Sequence, residues 1–269
     1  MRTILLPLIC LFSSLLTYAE IPFSEKKALV NIYYATAGEN WNIPWNLDAP
    51  VETWYGVTIS DDHVVSLNLH NNNLIGELPA SISDLAYLKT LNLAANKLGG
   101  PLPRSIGELR DLTSLELFLN EFVGFLPVEI GNLEQLEFLS LYYNKFRGPI
   151  PSTFKKLEKL EILQLGRNHF SGFFPVQLCE LKNLEHLSLH DNLFEGELPT
   201  EIGNLTSLEE LIITNNKFTG YLPLSLSKLK NLTTLMLSKN NFNKEYDSFT
   251  DHMPKDYLAI ESGTVVTDY

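Results

Sequence analysis

Leu139-Ser140-Leu141-Tyr142-Tyr143-Asn144-Lys145-Phe146-Arg147-Gly148-Pro149-Ile150-Pro151 decides the fold, because its pattern returns every 24 residues along the chain without insertion or deletion. The marker asparagine recurs as Asn72, Asn96, Asn120, Asn144, Asn168, Asn192, Asn216 and Asn240. Before each stands an apolar pair such as Leu91 and Leu93 or Leu163 and Leu165. Spacing by two predicts a short strand whose leucines point inward while the residues between and beside them face out. A fixed period of this length predicts a stack of coils, each too small to bury its apolar side alone.

The residues after the strand predict how each coil closes. The asparagine amide offers a donor and an acceptor to backbone groups left unpaired in the turn. Two residues on, Leu74, Leu98, Phe122, Phe146, Phe170, Phe194, Phe218 and Phe242 fill the interior. The glycine column running from Gly76 to Gly220 marks a backbone that a side chain would hinder. A proline follows three residues after each glycine, where its missing N–H suits the edge of a short extended segment. Apolar residues such as Ile106 and Leu109 then predict short helical turns on the opposite side. Strands about 4.8 Å apart on one side and bulkier turns on the other make the stack curve with its strands inside.

Working outward, residues 1–19 carry Arg2, an apolar run from Ile4 to Leu16, and small residues at Thr17 and Ala19, the pattern of a cleaved export signal. The expected location is secreted or extracellular, or periplasmic in a Gram-negative cell. Residues 20–63 predict an N-terminal cap, with Ser24 capping a helix that carries Leu29, Ile32, Tyr33 and Thr36. Trp41, Trp45 and Trp54 follow as core staples of that cap. The repeats occupy 64–242, and 243–269 form a C-terminal cap or tail with a closing strand around Gly263 to Val266. Without the leader, Cys179 is the one cysteine, so no intramolecular disulfide can form. It stands where other repeats have Ser83, Gly107 or Gly203, as a small packed residue rather than a reactive thiol.

The pattern L-x-x-L-x-L-x-x-N-x-L-x-G-x-[LI]-P resembles the plant-type leucine-rich repeat of receptor-kinase ectodomains, polygalacturonase-inhibiting proteins and microbial secreted proteins. Val64 to Phe242 carry the resemblance. It implies an α/β solenoid, a curved right-handed superhelix with a parallel sheet on its concave face. Trp54-Tyr55-Gly56-Val57-Thr58 is similar to that family's cap motif, but Glu52 and Ile59 stand where its two cysteines belong. The departure points away from the disulfide-capped plant inhibitors and toward a microbial secreted protein.

The formal charge of −12 disfavours nucleic-acid and anionic-membrane partners, both of which need Lys and Arg. No compact catalytic motif is present, and neither enzyme activity, cofactor nor metal is expected. Asp61, Asp62 and His63 read as turn residues rather than metal ligands. Two sequons begin at Asn204 and Asn231, and both also arise from the repeat consensus.

The outward strand positions are what the fold leaves open. There the chain places Phe118, Phe138, Tyr142 and Tyr143 on the third and fourth repeats, flanked by Arg167, His186, His190 and Asp191 on the next two. Rigid aromatics beside an arginine are the usual material of binding hot spots. The same rings are equally suited to stacking across neighbouring strands and stabilising the sheet. Two functions stay open: a recognition module for a protein, peptide or glycan, and a structural or adhesive protein that associates with itself.

Overall fold

The computed structural model describes residues 21–243, together with the backbone of a short antiparallel pair, Ile260–Glu261 and Thr264–Val265. The expected leader and most of the expected tail lie outside the described residues. Eight strands, His63–Asn68, Thr90–Asn92, Ser114–Glu116, Phe138–Ser140, Ile162–Gln164, His186–Ser188, Glu210–Ile212 and Thr234–Met236, form one parallel sheet in chain order. Val57–Ser60 adds a ninth, antiparallel, at the first edge. Register follows the repeat, so Leu115, Leu139, Leu163 and Leu187 lie side by side, all fully buried. Opposite this sheet stand short 3-10 turns such as Val128–Asn132, each entered from a proline whose carbonyl accepts the first bond, as Ile130 N–H does to Pro127 at 3.1 Å. Between the two runs a second parallel sheet, Val123–Gly124, Lys145–Gly148, His169–Phe173, Leu193–Glu197, Lys217–Gly220 and Asn241–Phe242.

Two internal columns hold the coils together. The rings of Phe122, Phe146, Phe170, Phe194, Phe218 and Phe242 stack with neighbouring centroids 5.9 to 6.3 Å apart. Aromatic rings prefer such an offset arrangement over a direct sandwich. Beside them runs the asparagine ladder. Asn144 Nδ2 donates to Leu117 O of the coil before at 2.9 Å and to Leu141 O of its own at 3.1 Å, while Oδ1 accepts Phe122 N–H at 3.1 Å. The first rung is closed differently: Asn72 Oδ1 accepts Ile43 N–H of the cap at 2.8 Å. Each amide thus satisfies backbone groups that the turn would otherwise bury unpaired.

The sequence pattern does not show the strain beside the ladder. Each residue immediately before a marker asparagine has left-handed backbone, including Leu119 and Tyr143 at φ 55 and Arg167 at φ 51. This conformation costs an L-residue about 1–2 kcal/mol, and asparagine tolerates it best after glycine. The fold therefore fixes the backbone at these positions, although their side chains differ as widely as Ala95, Tyr143 and Asp191. Leu119 is exposed, so Leu119→Asn should stabilise the protein by about 1 kcal/mol. A denaturant midpoint that rises with unchanged slope checks this. A falling midpoint would mean that leucine packing outweighs the strain.

The cap corrects one expectation. The helix spans Phe23–Ala35, with Pro22 at its N-cap and no side-chain cap bond, so Ser24 lies inside it and does not cap it. Proline's fixed φ suits a helix start, and Pro22 O instead accepts Lys26 N–H at 3.1 Å. Glu25, in the first turn, is 2% exposed. Its carboxylate contacts His63 Nδ1 at 2.6 Å and accepts Val64 N–H at 2.7 Å, pinning the helix to the first strand of the stack. Asp61 and Asp62 make the left-handed turn as expected, whereas His63 opens the strand and stacks on Tyr87.

The three tryptophans are buried, as expected of core staples. Trp45 stacks on Trp54 at 4.8 Å and meets Trp41 edge-on at 4.9 Å. Each indole N–H finds a backbone carbonyl: Trp41 that of Thr36, Trp45 that of Tyr55, and Trp54 that of Asn46. The cap is thus closed by stacked indoles and their hydrogen bonds, with no cysteine in it.

Candidate ligand-binding face

The candidate face is the outer side of the nine-stranded sheet. Phe118 and Tyr142 lie there half-buried, with their rings outside the core. Tyr142, Tyr143, Arg167, His190 and Asp191 form one contact network. The Arg167 guanidinium lies 5.9 Å from the Tyr142 ring centre and 5.8 Å from that of Tyr143. Arg167 Nε donates to Asp191 Oδ2 at 3.2 Å, and Asn215 Nδ2 donates to Asp191 Oδ1 at 2.6 Å. Charge, ring and carboxylate hold one another in place before any partner arrives, which reduces the entropy lost on binding.

A residue without a side chain makes this network possible. Tyr142 and His190 are two coils apart, yet their rings approach to 5.6 Å. Gly166 lies between them, and a Cβ there would collide with the His190 imidazole. His190 Nδ1 also contacts Ser188 Oγ at 2.7 Å. Burial holds the His190 imidazole below its ordinary pKa, against the opposing pull of Asp191, so the ring is neutral at neutral pH. A similar gap occurs at Ala94, across which His70 and Phe118 meet at 6.0 Å.

Phe118 lies in the row of Tyr142 but pairs with His70 outside this network, and two further expected site residues lie apart from it. Phe138 opens its strand between Ser114 and Ile162, four residues before Tyr142. His186 sits in the same row, with Nδ1 4.0 Å from Glu210. Both share the face but stand toward its other end, because four residues along a strand span about 13 Å. The rings of Phe118 and Tyr142 engage histidines two coils away instead of stacking on the strand next door.

Sequence reasoning missed the column four residues before each asparagine, although the same period reveals it. It places Glu116, Ser140, Gln164 and Ser188 at the middle of the face. Ser140 Oγ donates to Gln164 Oε1 at 3.0 Å. Burial raises the Glu116 carboxyl above its ordinary pKa, with His70 and hydrogen bonds from Ser114 and Asn92 pulling the other way. Away from this face, Cys179 is buried, and that burial pushes its thiol up to about 12. This accords with a packing role.

Models of the leucine-rich repeat match residues 63–85, 87–109, 134–194 and 207–229. No curated protein matches the chain by sequence. Among solved structures, the ectodomain of the Arabidopsis receptor kinase HAESA, in complex with an IDA peptide hormone lengthened at its N-terminus, is 32% identical with a TM-score of 0.75. That match covers 81% of this chain and 37% of the receptor's. The complex of PEPR1 with AtPEP1 gives the same identity and TM-score over 81% of this chain and 32% of the other. A leucine-rich-repeat protein of Leptospira interrogans is 39% identical over 66% of this chain and 44% of its own, at a TM-score of 0.60. The chain thus spans about a third of the length of the receptor ectodomains it resembles. Among the described residues no helix is long and apolar enough to cross a membrane.

Proposed function

The chain is a leucine-rich-repeat protein, and from that premise we propose that it is an exported recognition module whose strand face binds an extended peptide segment. The observation that carries this reading is the Tyr142, Arg167, His190 and Asp191 network, held ready on an open sheet face by the gap at Gly166. Half-exposed rings beside an arginine bury much area at low entropy cost when a chain is laid over them. The neutral His190 and the hydroxyl and amide groups of Ser140, Gln164 and Ser188 offer hydrogen bonds to a peptide backbone. The receptor ectodomains of similar fold, solved with peptide hormones, support the peptide over a glycan.

Panning a random peptide display library on the mature chain, followed by hydrogen exchange of the complex, tests the reading. Protection is expected around 116–118, 140–143 and 188–191. Protection confined to the caps or to the 3-10 turns would overturn it. Export is tested separately by N-terminal sequencing of the released chain, which should begin at Glu20.

A further inference from the structure

The second sheet carries an apolar stripe that lies away from the candidate face. Phe125, Phe173 and Tyr221 are 60%, 76% and 58% exposed, and each is accompanied three residues later by exposed Val128, Val176 or Leu224. They occupy the third, fifth and seventh repeats. The intervening repeats have Pro149 with Ser152 and Glu197 with Thr200 at the same positions. Three apolar teeth therefore stand about 10 Å apart, two strand spacings, along one edge of the stack. The Phe125 ring lies over Gly148 of the next coil and the Phe173 ring over Gly196, with Arg147 5.2 Å from the Phe125 ring centre. Two of the three teeth are thus seated on the coil that follows.

We propose that this stripe is a two-fold interface between two copies of the chain. The spacing is symmetric about Phe173, so a second copy turned end for end, about an axis along the fifth strand row, sets Phe125 opposite Tyr221 and Phe173 opposite itself. Closed homodimers are built from this kind of self-complementary patch. The charges follow the same symmetry. Arg147 of the fourth repeat comes opposite Glu195 of the sixth, and Glu121 of the third, already paired with Lys145, comes opposite Lys217 of the seventh. The three rings alone expose about 400 Å², taking ~200 Å² for an aromatic side chain. With the two valines and the leucine, the stripe approaches the ~800 Å² per partner of a stable interface.

Sedimentation equilibrium of the full mature chain between about 1 and 300 µM tests this, over a range that brackets the micromolar affinities open to standard-sized interfaces. A monomer–dimer equilibrium is expected within that range. Phe173→Ser removes the central tooth and should weaken it about 30-fold or more, the size of a central hot spot. Arg147→Glu and Glu195→Arg each set like charges face to face and should also weaken it, while an equimolar mixture of these two variants dimerises again because both cross pairs then have opposite signs. All three positions are exposed, and unchanged melting curves verify that each variant is folded. A monomer at every concentration overturns the proposal. So does a dimer that survives Phe173→Ser, or a mixture no more associated than either variant alone.

Discussion

Asn144→Ala should lower the unfolding free energy by about 3 kcal/mol. The change strands the buried Phe122 N–H, whose acceptor is this amide, and takes from Leu117 O and Leu141 O one of two donors, leaving them Asn120 and Asn168. The unpaired buried N–H costs about 1–3 kcal/mol and each lost shared bond about 0.5–1 kcal/mol. At 2–4 °C per kcal/mol for a domain of this size, the melting midpoint falls by about 6–12 °C. Asn144 sits in the middle of the stack, so its loss also weakens coupling between the two halves, and unfolding should broaden or split. Asn240, at the last described rung, is only partly buried, and Asn240→Ala should cost less because the end coil can fray to water. Calorimetry of both variants checks the claim. A loss under 1 kcal/mol at Asn144 would mean that the ladder is incidental to stability.

The second large effect concerns recognition. Phe118→Ala combined with Tyr142→Ala should weaken binding of a selected peptide at least 100-fold while the protein stays folded. Two central aromatic hot spots at about 2 kcal/mol each set that scale, discounted for non-additivity. Both rings lie outside the core, so stability falls by no more than a few kcal/mol. Phe138→Ala is the internal control. Its ring stands at the far end of the strand from the network, and its removal should change affinity less than threefold. Titration calorimetry distinguishes the outcomes. Unchanged affinity in the double variant would move the binding surface to another face.

Most of the fold was legible because the period forces it. Once Asn144 and Leu139 with Leu141 return every 24 residues, strand alternation, the phenylalanine column and the opposing turns follow from spacing alone. Spacing tells which side a residue faces but not how far its side chain reaches. Sequence reading therefore grouped Phe138 with Tyr142, which share a face, and overlooked Gly166, which lets His190 reach Tyr142 across two coils. The left-handed backbone at Leu119 and Tyr143 was hidden because the residues there do not advertise it as glycine would. Ser24 is misleading because a good capping side chain sits two residues past the N-cap, which Pro22 occupies. Phe125, Phe173 and Tyr221 are hard to see as a set in the sequence because they recur only in every second coil and lie outside the first strand of each repeat.

The indole-closed cap has a consequence for biogenesis. Glu52 and Ile59 stand where the resembled cap motif has cysteines, and Cys179, the one cysteine among the described residues, is buried, so no disulfide fastens the described coils. Those coils can pack in a reducing or an oxidising medium alike, and the redox poise of their surroundings does not loosen them.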